Sequence, residues 1–97
     1  MELPAYGIAD AEHVLEKEIA RLWPDARLQI LGTARVGEPG RIVEEFSLSY
    51  LLEAVVEVEG ETRKEAESAA FRAARARLEE SRYRLTRWEA VKGPRDP

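Results

Sequence analysis

The chain has 97 residues, 44% of them hydrophobic and 35% charged, with a formal net charge of -4, a composition suited to one soluble domain with a single modest core. It holds no cysteine, which excludes a disulfide framework, thiolate metal sites and a cysteine nucleophile. No apolar run reaches the length of a membrane span, and the first residues lack the basic and apolar regions of a signal peptide, so a cytoplasmic location is expected.

In chain order, Asp10 is placed to cap a first helix in which Ala11, Val14, Leu15, Ile19, Leu22 and Trp23 recur at helical spacing. Pro24 ends it by restricting Trp23. Next, Leu28, Ile30, Gly32, Ala34 and Val36 alternate with Arg27, Gln29, Leu31, Thr33 and Arg35, the period of a half-buried strand. Residues 37–40, which begin and end in glycine, predict a hairpin loop.

From Ile42 to Val58 the alternation never breaks, and no Gly, Pro, Asn or Asp marks a turn before Gly60. A two-residue hairpin would swap the buried face, so the pattern predicts either one long bent strand or two strands joined by a three-residue loop at Leu51 to Glu53. Undivided, it would span roughly 55 Å at about 3.3 Å per residue. That exceeds the roughly 25 to 35 Å breadth of a compact chain of this size. A strand of that length must bulge, coil or project, and projection offers an edge to a second copy.

Thr62 is a good helix N-cap, and Glu65 is placed to reach back to the cap's amide in a capping box. Along the second helix Ala66, Ala70, Phe71, Ala74 and Leu78 share one apolar side, with Ala69, Ala73 and Ala76 beside them, while Lys64, Ser68, Arg72, Arg75 and Glu79 lie opposite. Residues 82–91 then alternate as a last strand, and 92–97 are expected to be a disordered tail of a single domain covering 1–97. The fold class expected is α+β, with two helices packed on one face of a small antiparallel sheet, in the order α-β-β(-β)-α-β.

The run GETRKEAESAAFRAA, from Gly60 to Ala74, resembles the last strand and second helix of double-stranded RNA-binding domains. The resemblance implies that Arg63 and Lys64 hold phosphates at the helix N-terminus, with Arg41 on the hairpin loop as a second contact. The chain departs from that family at Glu67, where a third basic residue is usual, and in a hairpin loop without histidine. Without a turn at Leu51 to Glu53, the element order is instead similar to the prokaryotic KH arrangement, though the glycine loop that grips RNA there is absent.

Charge is divided along the chain. Residues 1–62 carry five basic and thirteen acidic side chains, and residues 63–88 carry eight basic and four acidic. The positive part is complementary to nucleic acid or to the acidic part of another copy. The chain has no asparagine, one glutamine (Gln29) and one methionine (Met1), a pattern consistent with a thermophilic source.

Little catalytic chemistry is legible. His13 is the only histidine, flanked on its helix by Glu12 and Glu16, and reads as solvated. Glu57 and Glu59 fall on a solvated strand face, while Glu44 interrupts an apolar one. Ser47, Ser49 and Ser68 have no recognisable base with an orienting group. No catalytic residue, cofactor or metal ligand is assigned. The expected function is that of a small non-enzymatic protein that forms a homodimer or larger homo-oligomer, with double-stranded RNA as the alternative partner.

Overall fold

The computed structural model describes residues 1–85. Its elements are β1 (Glu2–Ala5), α1 (Ile8–Leu22), β2 (Arg27–Val36), β3 (Glu44–Glu53) and α2 (Arg63–Glu79). The three strands form one antiparallel sheet in the order β1-β3-β2, so the fold is α+β. It is elongated, at 53 × 21 × 20 Å.

The first strand is an addition to the expected order. Glu2 to Ala5 pairs with Ser47 to Glu44, and Met1 extends the pairing by exchanging two backbone hydrogen bonds with Leu48, each of 2.9 Å. Of the last expected strand, the described residues show one antiparallel bridge, Arg84 to Glu2. Residues 86–91 of that expected strand, and the tail 92–97, lie outside the described residues.

Helix α1 follows its apolar stripe. Ala11, Leu15, Ile19 and Leu22 are buried and Val14 packs against the same core. Its start differs from the expectation: Gly7 is the N-cap, and the Asp10 carboxylate, already inside the first turn, accepts from the Tyr6 amide at 2.9 Å. An acid in the first turn satisfies a free donor and favours the positive helix end, which is how Asp10 mimics a cap in sequence. Trp23 closes the helix as expected.

The hairpin between β2 and β3 turns where the glycines predict, with Gly37 and Gly40 at φ 91° and 100°. One feature of β2 overturns its uniform alternation. The register shifts between Ile30 and Gly32, leaving Leu31 as a bulge residue, and Leu31 is 55% exposed. An inserted residue reverses the faces beyond it. Thr33 and Arg35 therefore oppose the buried Leu48 and Phe46, while Gly32, Ala34 and Val36 oppose Ser49, Ser47 and Glu45 on the outer face. This accounts for Glu44 on an apolar face. Arg35 Nε forms an ion pair with Glu44 Oε2, an oxygen with no other partner among the described residues.

The core lies on the helix side of the sheet, where Leu3, Leu15, Phe46, Leu48 and Leu78 are fully buried. Their burial is the main favourable term available to a domain this small. Among the described residues, Leu78 is the one residue of α2 fully buried in that core. The C-terminal end of α2 is thus anchored, by Leu78 and by the Arg77 guanidinium lying 4.8 Å over the Trp23 ring.

Candidate interaction surface

Strand β3 outruns its neighbours. On one side its described pairing ends at Leu48, opposite Met1. On the other it ends at Glu53, opposite Arg27. Neither sequence reading of this span holds: the strand does not turn at Leu51 to Glu53, and its ladder does not continue to Val58. A ladder lasts only as long as its partners, and β2 begins at Arg27.

Beyond the ladder the strand-like alternation persists. Ala54, Val56 and Val58 are half-buried, while Val55, Glu57 and Glu59 are exposed. Val55 is 91% exposed. Among the described residues no backbone hydrogen bond holds residues 54–60 to a neighbouring strand. Such a row of free backbone donors and acceptors is a template for another chain.

Gly60 closes this arm against the helix that follows. A Cβ on Gly60 would lie 2.7 Å from the Ala66 amide nitrogen, so only glycine allows this approach. The capping motif is present: Thr62 Oγ1 accepts from the Glu65 amide at 3.1 Å. Glu65 Oε2 accepts from the Glu61 amide, also at 3.1 Å, and not from the amide of Thr62 itself as expected. The apolar side of α2 is only half-covered, with Ala66, Ala69, Ala70, Phe71 and Ala74 all half-buried and Ala73 and Ala76 exposed.

The chain matches no known family model, no curated protein and no solved structure. The surface itself therefore carries the functional argument.

Arg63 and Lys64 stand exposed on the first turn of α2, as expected. Arg41 stands exposed in the β2–β3 connection. The whole of β3 and the arm separate them along the chain, with Arg41 before the first residue of β3 and Arg63 beyond its last. Arg63 Nε also pairs with Glu67 Oε1 at 3.2 Å, so the residue that departs from the RNA-binding pattern also engages one of the candidate phosphate ligands. A shallow hollow lined by Thr62, Lys64, Glu65, Ser68 and Arg72 runs along this part of α2.

Glu18 is the functional-looking group that the sequence reading missed. It is 5% exposed, and its carboxylate accepts from Arg21 Nε at 2.8 Å, Ser81 Oγ at 2.7 Å and the Arg82 amide at 2.9 Å. Chiefly through Arg21, and against the cost of burial, these donors hold its pKa down to about 2. A signal was present: Glu18 lies on the same helical stripe as Ala11, Leu15 and Leu22, three residues before an arginine. Every Glu18 contact is to this chain's own segments, so its chemistry is that of a clasp. Tyr50 is the second missed group. Its buried hydroxyl has no hydrogen-bond partner among the described residues, and burial pushes its pKa up to about 12. No helix among the described residues is long and apolar enough to cross a membrane.

Proposed function

We propose that this chain is a non-enzymatic α+β protein whose act is self-association through the arm that continues β3. The observation that carries this reading is the arm's combination of strand-like alternation, half-buried apolar positions and a backbone over residues 54–60 with no strand partner among the described residues. A second copy of the same arm supplies the missing donors and acceptors together with a matching apolar face. Charge favours the same partner. Residues 44–61 contain six glutamates and no basic residue, while α2 presents Arg63, Lys64, Arg72 and Arg75 on exposed positions. Double-stranded RNA is the weaker reading, because it rests on Arg63, Lys64 and Arg41, and Glu67 already engages Arg63.

Light scattering across a concentration series tests this. The parent protein is expected at twice the chain mass or more, and Val56→Pro, which removes an amide and constrains the arm, is expected to shift it to monomer. A parent that is monomeric at high concentration, or a Val56→Pro variant that keeps the parent mass, would sink the reading. Binding of the monomer to an RNA duplex, weakened by salt and by the pair Arg63→Glu with Lys64→Glu, would put the RNA reading in its place.

A further inference from the structure

We infer that a second copy of this chain covers the apolar end of the sheet opposite the arm, through a two-fold contact of residues 6–8 and 36–43. This contact is separate from the arm contact proposed above and adds a second surface for self-association. Three observations carry it.

The first is where exposed apolar side chains gather. The ladder of β1 with β3 ends at Ala5 opposite Glu44, so Tyr6 and Val43 leave the sheet at the same point. Ile8 opens α1 two positions after Tyr6, Ile42 precedes Val43, and Val36, the last residue of β2, lies opposite Glu45 at the same end. All five are exposed, Ile42 at 86% and Tyr6 at 72%. Apolar side chains grouped in this way mark an interaction site, whereas single scattered ones do not.

The second is charge. Between Val36 and Ile42 the loop carries Glu38 and Arg41, both exposed, on either side of Pro39 and Gly40. A two-fold axis at Pro39 and Gly40 sets Glu38 of each copy against Arg41 of the other and brings Val36 toward Val43. The loop is therefore complementary to itself in charge and in apolar character. A polyanion such as nucleic acid finds no such match, because Arg41 shares this end with Asp10, Glu38 and Glu45, and Arg35 is engaged by Glu44.

The third is position. β3 runs from this end at Glu44 to Glu53, where the arm begins, a distance of about 33 Å at 3.3 Å per residue. The two surfaces lie at opposite ends of β3, so one copy can use both at once and arm-paired dimers join end to end in a row. The end contact is the smaller of the two. Five side chains bury well under the roughly 1,200 Å² of a stable pair, so this contact forms at high concentration, where the arm contact is already made.

Light scattering across a concentration series tests this with variants at exposed positions. The parent is expected to pass twice the chain mass at high concentration, and Ile42→Glu to stop at twice. In the Val56→Pro background, which removes the arm contact, the end contact is read alone. There Glu38→Arg sets Arg41 against a second arginine, and Arg41→Glu sets Glu38 against a second glutamate, so each is expected to stay monomeric throughout. An equimolar mixture of the two restores opposite charges and is expected to dimerise, and adding Ile42→Glu to both is expected to abolish that dimer. A parent that stops at twice the chain mass, or a mixture no more associated than its components, would overturn the end contact and leave the arm reading standing. A parent mass lost in Ile42→Glu but kept in Val56→Pro would uphold the end contact and sink the arm reading. A parent that is monomeric throughout would overturn both. Capture of the parent by vesicles of zwitterionic lipid, abolished by Ile42→Glu with the protein mass unchanged, would give this end to a membrane surface and overturn the pairing.

Discussion

The Ser81 hydroxyl donates to Glu18 Oε2 at 2.7 Å across 63 positions of sequence. With the Arg82 amide on the same oxygen, it fastens the end of α2 to the middle of α1. Ser81 Oγ in turn accepts from the Tyr83 amide at 3.1 Å, aiming the chain toward the Arg84 bridge with Glu2. Glu18→Ala removes the buried acceptor and leaves Ser81, the Arg82 amide and Arg21, which are half-buried or exposed, without it. It is expected to cost about 1 to 3 kcal/mol, since the exposed Arg21 is screened by solvent, read as a fall in the chemical-denaturation midpoint. Glu18→Gln, which keeps the shape, is expected to recover part of that loss. An unchanged midpoint in Glu18→Ala would show that the clasp contributes nothing.

The same carboxylate sets a pH window. Its folded pKa of about 2 lies below the ordinary value of 4.5, so the folded state favours the ionised form. That contribution is complete above pH 4.5 and is lost as pH falls from there toward 2, reaching on the order of 3 kcal/mol at most. Unfolding followed between pH 6 and 2 is expected to steepen below 4.5 in the parent and to flatten in Glu18→Gln. Identical profiles would remove Glu18 as the cause.

Gly60 is the tightest backbone approach between the arm and α2. Gly60→Ala is expected to displace the first turn of α2 and cost about 1 to 3 kcal/mol, the range for overpacking. Faster amide exchange at Glu65 and Ala66 would report the displacement, while exchange at Leu15 and Phe46 stays slow. A general acceleration at all four sites would show that Gly60 holds more than this joint.

Leu31 is a length change that the sheet already absorbs. Its deletion leaves Ile30 facing in, Gly32 facing out and Thr33 facing in, so the variant is expected to fold with a loss of no more than about 1 kcal/mol. Deleting Ser49 from β3 removes the same number of atoms' worth of backbone but reverses every side chain beyond it. Circular dichroism melts of the pair are expected to differ sharply, with the Ser49 deletion failing to give a cooperative transition. Equal melts would argue against the bulge.

Tyr50→Phe removes a buried hydroxyl that has no partner among the described residues. Losing an unsatisfied polar group while keeping the ring is expected to leave stability unchanged or raise it by up to about 1 kcal/mol. A clear loss of stability would reveal a hydrogen-bond partner for the phenol.

What the sequence made legible were the features fixed by near neighbours. The α1 stripe, the glycine turn at 37–40 and the cap at Thr62 each depend on residues within a few positions of one another. What escaped depended on distant partners. β1 was hidden by Pro4, which breaks a strand pattern but is tolerated near a sheet edge. The bulge at Leu31 is invisible to a period of two, because either face reads acceptably for Leu31 and Gly32. The end of β3 at Glu53 is set by where β2 begins, not by any residue in β3. Of the candidate surface, its location in the 42–58 span was legible from the unbroken alternation and its length. Glu18 was passed over because a charged residue on an apolar stripe needs its partners, Ser81 and Arg82, to explain it.

The order of the strands also governs how the molecule can assemble as it is synthesised. β1 and α1 emerge first, yet Met1 and Leu3 find their partners on β3 only 40 or more residues later, the Met1–Leu48 pair being separated by 47 positions. Until then the apolar side of α1 has no sheet to cover it. The β2–β3 hairpin, whose pairing is local, is the element that can form on its own and then receive both ends of the chain. The clasp at Glu18 needs Ser81 and Arg82, so a nascent chain stalled before Ser81 would carry the three strands without that fastening between the helices.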